Sequence, residues 1–216
     1  MIGGQESDST CILNKSFGTD EMSGETHLNR TKVEQAFRIM GQYLLDRRVL
    51  GEIAIYGGSA ILFQFDWRKT SQDVDARIIS SNHGLVLEAV REAARQLDLP
   101  QSWLSESVSV YTRRGEGVAD RAFVGVYPSA ERFGLRVTAA QPAYILAMKL
   151  GALERSTIDD RDYQDAINLA LECGVSTVDE LHAVFDRFFA GQELSPAAAL
   201  RLRDLAFAIQ ARSTKE

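Results

Sequence analysis

Cysteine is close to absent from this chain, with Cys11 and Cys173 the only two in 216 residues. Two cysteines so far apart make neither a disulfide framework nor a zinc-ligand spacing, and free thiols in a reducing cytoplasm are the expectation. Long apolar runs are missing too. None approaches the roughly 20 residues that a membrane-spanning helix needs. The N-terminus lacks the basic start and apolar stretch of a signal peptide. The sequence therefore predicts a cytoplasmic protein with no membrane contact. Positive charge is in deficit: 24 Lys and Arg face 30 Asp and Glu, for a net charge of −6. That excludes a protein that grips nucleic acid over its whole surface. Local basic patches remain at Arg47-Arg48, Arg68-Lys69, Arg113-Arg114 and Arg201/Arg203, each also readable as an ordinary solvated face. Neither G-x-G-x-x-G nor G-x-x-x-x-G-K-[ST] occurs, so a dinucleotide fold and a P-loop lose their support. What is present, 45% hydrophobic and 25% charged residues, suits one globular domain, alone or with a small helical appendix.

Residues 1–28 are polar and without periodicity, and read as a mobile tail. Thr31-Lys-Val-Glu34 forms a capping box, and Val33, Phe37, Met40 and Leu44 then share one helical face. A strand over 52–56 breaks at Gly57-Gly58-Ser59 into a short helix that runs to about residue 65. A second strand spans 73–79. A helix capped at Ser81/Asn82 follows and closes at Leu99-Pro100. Segments 107–111 and 121–127 predict a hairpin around the basic loop 112–120. Another strand covers 134–138. Helices are expected over 142–154, 159–172, 178–190 and 196–212. There is no internal repeat. The order predicts an α+β (α/β) fold, a mixed sheet core over 29–140 flanked by helices, with an all-helical C-terminal part over 141–216.

Two local patterns carry chemistry. In Ile53-Ala-Ile-Tyr-Gly-Gly-Ser-Ala-Ile-Leu62, the glycines Gly57 and Gly58 sit where a strand turns into a helix. They let backbone approach a ligand, and the helix N-terminus offers free N–H groups to phosphate, with Ser59 adding a hydroxyl. In Gln72-Asp-Val-Asp-Ala-Arg77, Asp73 and Asp75 point to one side of a strand, about 7 Å apart along it. Such a pair can converge on a hard divalent cation. Each half alone also occurs as plain structure: a capped Gly-Gly turn, or a solvated edge strand. Further along, Lys149 is the only charge between Arg136 and Glu154. A buried ammonium needs an anionic partner, whereas a snorkelling one does not. Asp162 and Asp165, at i and i+3, share a helical face near its N-terminus, where acids are also favourable by themselves.

Gly57-Gly58-Ser59 followed by residues 60–72 and then Asp73-x-Asp75 resembles the nucleotidyltransferase superfamily, with its polymerase-β-like fold. Lys69 and Ser71, four and two residues before Asp73, match the basic and hydroxyl positions of that pattern. The segment Pro142-Ala-Tyr-Ile-Leu-Ala-Met-Lys149, then Arg155, then Arg161-Asp-Tyr-Gln-Asp165, looks like the second half of the AbiEii/AbiGii-type toxins. The likeness covers about residues 50–170. It implies that Gly57, Gly58, Ser59, Lys69 and Ser71 bind a nucleoside triphosphate. It implies Mg²⁺ or Mn²⁺ on Asp73 and Asp75, and Lys149 stabilising charge on the triphosphate. Asp162 and Asp165 would orient Lys149 or the acceptor, with Arg155 and Arg161 in support. The implied acceptor is RNA, a tRNA end included, or a protein side chain, with a cognate antitoxin as partner. Arg68, Lys69, Arg113 and Arg114 would form an RNA track. The later strand offers Arg136 where polymerase-type members carry a third metal carboxylate; Glu116, Asp120 and Asp162 are the substitutes. The departure keeps open a catalytically inactive nucleotide-binding module. A nucleotidyltransferase acting on a small molecule of the antibiotic type is the other alternative.

Overall fold

The computed structural model describes residues 27–110, 112, 116–157 and 160–213. Most of the predicted tail with Cys11, Tyr111 at the end of the expected 107–111 strand, the loop residues Arg113, Arg114 and Gly115, and the expected first residue of the 159–172 helix lie outside the described residues. In chain order the elements are β1 (Leu28–Asn29), α1 (Arg30–Asp46), β2 (Gly51–Ile55), α2 (Gly57–Gln64), β3 (Thr70–Ser71), β4 (Val74–Ile78) and α3 (His83–Leu97). Then follow β5 (Leu104–Ser105), β6 (Arg121–Pro128), β7 (Phe133–Ala140), α4 (Pro142–Gly151), α5 (Arg161–Glu172), α6 (Val178–Phe188) and α7 (Pro196–Ser213). The fold is mixed α+β, as the sequence predicts.

The main sheet has the order β5-β4-β2-β7-β6. Its centre is a parallel pair, β2 and β7, with β4 and β6 added antiparallel on either side and β5 parallel to β4. Strand β4 alternates as a half-buried strand should: Val74, Ala76 and Ile78 are buried, whereas Asp75 and Arg77 face the other way. The buried face packs under α1 and α3. Helix α1 buries Val33, Phe37, Met40 and Leu44, the face read from the sequence, together with Ala36 and Gly41. It lies directly on backbone: a Cβ at Gly134 would fall 2.4 Å from the Gly41 carbonyl oxygen, and one at Gly41 would fall 2.3 Å from that of Tyr127. Trp103 closes the same side, its indole N–H donating to the Val90 carbonyl at 3.2 Å.

The other face of the sheet meets the C-terminal helices. Tyr56, at the end of β2, is edge-on to Tyr144 of α4, which stacks on Phe188 of α6. Phe185, Phe188 and Phe189 are buried in one core continuous with the sheet. The chain therefore carries its apolar core across residue 141 without a break.

Three local expectations are corrected. Residue 28 does not belong to a polar tail: Leu28 is fully buried, and β1 pairs antiparallel with β3. The cap of α1 is Asn29, whose side chain accepts from the Lys32 N–H at 2.9 Å, while Glu34 turns to Arg30. The helix thus starts ahead of the Thr31 box, because asparagine is an equally good cap and β1 fixes its position. Ser107–Val110 is a 3₁₀ turn rather than a strand. The Ser105 hydroxyl accepts from the Ser107 N–H at 3.1 Å, and such local serine bonds compete with sheet pairing. The partner of β6 in the hairpin is accordingly β7.

Candidate active site

The strand-to-helix turn at the C-terminal end of β2 begins the site. Gly57 has φ +55, in the region open to glycine, and a Cβ there would lie 2.7 Å from Asp75 Oδ2. At Gly58 a Cβ would lie 2.7 Å from Arg68 Nη2 and 2.9 Å from Ser71 Oγ. Two glycines thus bring the first turn of α2 against a carboxylate, a guanidinium and a hydroxyl. The β1–β3 ribbon sets Ser71 in place. Tyr56 anchors the turn from behind: its N–H donates to the Asp75 carbonyl at 2.8 Å, and its phenol donates to Glu116 at 2.7 Å. Burial, then that carboxylate, push the phenol far above its ordinary pKa. Glu116 itself is enclosed, with Arg77 at 3.4 Å and Arg121 at 3.5 Å.

Asp73 lies just before β4 and Asp75 within it. Among the described residues neither carboxylate forms an ion pair. Burial raises the pKa of Asp73. Asp75 is pushed up to about 6 by burial first and the charge of Asp73 second, against a smaller opposing pull from Lys149. Two partly desolvated carboxylates that repel each other form a site whose charge asks for a cation.

The cations come from elsewhere in the chain. Lys149, on α4, has only 11% of its side chain exposed; it pairs with Asp162 and lies 3.3 Å from Asp165 Oδ2. Arg68, also 11% exposed, pairs through Nη1 with Asp165 Oδ1. Its Nε donates to the Thr70 carbonyl at 2.8 Å. Asp160 caps α5, accepting from the Asp162 N–H at 2.7 Å. A cavity of about 550 Å³ results, lined by Gly57, Gly58, Ser71, Asp73 and Asp75 from the sheet side and by Lys149, Asp160, Arg161 and Asp162 from the helices, with Arg68 and Gln72 between them.

A second hollow, about 730 Å³, adjoins it and shares Gly57, Asp75, Lys149 and Asp162. Its walls are more apolar, with Ile145, Met148, Phe185, Phe189 and Leu194, and carry Glu154, Arg155 and Glu193.

Most of the residues expected from the sequence therefore converge: Gly57, Gly58, Ser71, Asp73, Asp75, Lys149, Arg161 and Asp162 line one cavity, and Asp165 stands behind Lys149. Three do not join them. The Ser59 hydroxyl is buried and donates to the Tyr56 carbonyl at 2.8 Å, so it braces the turn, and Ser71 is the hydroxyl at the cavity. Lys69 is exposed and outside the lining. Arg155 lines the neighbouring hollow. Arg68 turns its side chain into the cavity wall, where 11% of it is exposed. Its partner is 97 residues away, beyond the reach of any local pattern. Of the substitutes for a third metal acid, Glu116 is held by tyrosine and arginine, Asp120 accepts from the Gly117 N–H at 2.8 Å, and Asp162 lines the cavity beside Lys149. Strand β7 carries Arg136, paired with Glu52. No cluster of three or more acidic, histidine or cysteine ligands occurs among the described residues, and none of their helices is long and apolar enough to cross a membrane. Comparison of the chain with protein-family models, with curated proteins and with solved structures gives no match.

Proposed function

We propose that this chain moves a nucleotidyl group from a nucleoside triphosphate to a hydroxyl acceptor, as the toxin-like component of a bacterial toxin–antitoxin or abortive-infection system related to the AbiEii/AbiGii-type proteins. The observation that carries the proposal is the cavity itself, where carboxylates without a cation partner among the described residues face fixed cations across a glycine turn. Four lining carboxylates, Asp73, Asp75, Asp160 and Asp162, meet three lining cations, Arg68, Lys149 and Arg161. The cavity is therefore net negative and repels a bare triphosphate until a divalent cation enters with it. Asp73 and Asp75 suit Mg²⁺ or Mn²⁺, which needs only one or two protein carboxylates when substrate phosphates and water complete its shell. When bound there, the metal neutralises charge on the α-phosphate and activates the attacking hydroxyl.

The protein's own part is positioning. The N–H groups of the α2 turn and the Ser71 hydroxyl receive phosphate oxygens. Lys149, held by Asp162, offsets charge on the leaving pyrophosphate. Attacking and leaving oxygens lie in line across the transferred phosphorus. With pyrophosphate in the polar cavity, the acceptor enters through the adjoining hollow, which shares Asp75, Lys149 and Asp162 with it. RNA, a tRNA end included, or a protein side chain is the proposed acceptor.

The test is incubation of the purified protein with each α-labelled NTP, Mg²⁺ and total RNA or lysate. Label should pass to one macromolecular fraction, and Asp73→Ala should abolish it. Equal labelling by that variant sinks the catalytic proposal. The missing third carboxylate favours one second reading, a nucleotide-binding module without turnover. It predicts Mg²⁺-dependent NTP binding and no label transfer. Transfer to a small molecule instead would mark the antibiotic-modifying class.

A further inference from the structure

Resting on that nucleotide reading, we propose that Arg68 is a triphosphate-binding residue and that Asp165 is the positioning residue that fixes Arg68 and Lys149 as a cation pair. Arg68 presents its donors in three directions. Nε is spent on the Thr70 carbonyl and Nη1 on Asp165. Nη2 takes part in no hydrogen bond among the described residues and lies 2.7 Å from where a Gly58 Cβ would stand, a point that Ser71 Oγ approaches to 2.9 Å. The planar fork is rigid, so anchoring two of its nitrogens aims the third. That third nitrogen points at the phosphate turn, in the wall of the polar cavity.

Asp165 explains why two buried cations sit so close. It is 3% exposed, on the first turns of α5. One oxygen holds Arg68, and the other lies 3.3 Å from Lys149 Nζ without hydrogen-bond geometry. Asp165 joins the two cations while Asp162 completes the balance at Lys149, and the burial of Asp165 keeps water from relaxing the arrangement. A brace between α5 and the loop before β3 would need only the Arg68–Asp165 bond. It would not need a free guanidinium nitrogen beside the space that Gly58 leaves open.

A brace and a phosphate ligand are told apart by which ligands notice the change. Calorimetric titration in Mg²⁺ would compare the four α,β-methylene NTPs, which cannot be transferred, with the four NMPs. The proteins are the parent, Arg68→Lys, Asp165→Asn and the double variant. The parent should bind at least one triphosphate more tightly than its monophosphate. Arg68→Lys should weaken that triphosphate about tenfold or more, by loss of the fork geometry, and leave monophosphate affinity essentially unchanged. Asp165→Asn should weaken it similarly, and the double variant should add little beyond either single one, as groups acting through one contact do. An equal loss for triphosphate and monophosphate, or no loss, in Arg68→Lys overturns the inference and makes Arg68 a brace. That outcome can be reached even where Asp165→Asn does not fold. A parent that does not prefer triphosphate overturns the nucleotide reading as well, so the two failures are distinguishable.

Discussion

Asp73 and Asp75 on one side of the cavity, and Asp162 and Asp165 on the other, are two carboxylate pairs that the fold treats in opposite ways. The α5 pair is neutralised from within, Asp162 by Lys149 and Asp165 by Lys149 and Arg68. The β4 pair receives no such partner among the described residues, and burial with mutual repulsion lifts Asp75 to about 6. Spacing alone does not separate these cases, since both place two acids on one face of an element. The difference lies in what is opposite. The helix acids meet cations and complete a scaffold. The strand acids meet a glycine turn and an open cavity, which leaves their charge to be satisfied by a ligand.

The comparison breaks first at its most costly point. Asp75→Asn should lower nucleotidyl transfer by a factor of about 10³ or more, on the scale of losing a main electrostatic group. The same change should raise the melting temperature of the metal-free protein at pH 7, because it removes a strained charge. Asp165→Ala should do the reverse to stability. It strands the buried Arg68 guanidinium, takes away one of the two carboxylates beside Lys149, and should cost about 3 kcal/mol in denaturant unfolding. Matching signs for the two variants would erase the contrast between the pairs.

Gly57→Ala comes next. A side chain at φ +55 that also presses on Asp75 should cost about 2 kcal/mol of stability and weaken Mg²⁺ binding, measured by titration of the metal. The pH dependence is subtler. The folded pKa of Asp75, about 6, lies above its unfolded value near 4, so ionised Asp75 destabilises the metal-free fold above about pH 6. Its contribution to stability is fully present below about pH 4 and is lost as pH rises through about 6. Metal affinity should run the other way and weaken as pH falls through about 6, which a metal titration across roughly pH 5–8 would show. The smallest effect belongs to Ser59→Ala, about 1 kcal/mol for one lost local hydrogen bond, with nucleotide affinity unchanged; loss of affinity would return Ser59 to the phosphate site.

Local chemistry was what the sequence could express. The Gly57-Gly58 turn follows from glycine's access to positive φ, and the shared face of Asp73 and Asp75 from the two-residue period of a strand. The core face of α1 follows from the 3.6-residue period of a helix, and the α+β class from the order of the elements. Segment 107–111 misled because alternating Ser and Val mimics a strand, while the Ser105 side chain closes a turn that no periodicity encodes.

Tertiary structure decided the partners. Whether Lys149 snorkels or is buried turns on which side of α4 meets α5. Whether Arg68 lies on a surface or in the site turns on Asp165, almost a hundred residues further along. Which serine faces the cavity depends on the ribbon between β1 and β3, since the Ser59 hydroxyl is claimed by the carbonyl three residues before it. Dihedral preference and side-chain period act between neighbours, and a chain reports them directly. Desolvation and charge pairing act through space, so only the packed fold could settle which of the acids, cations and hydroxyls remain for a ligand.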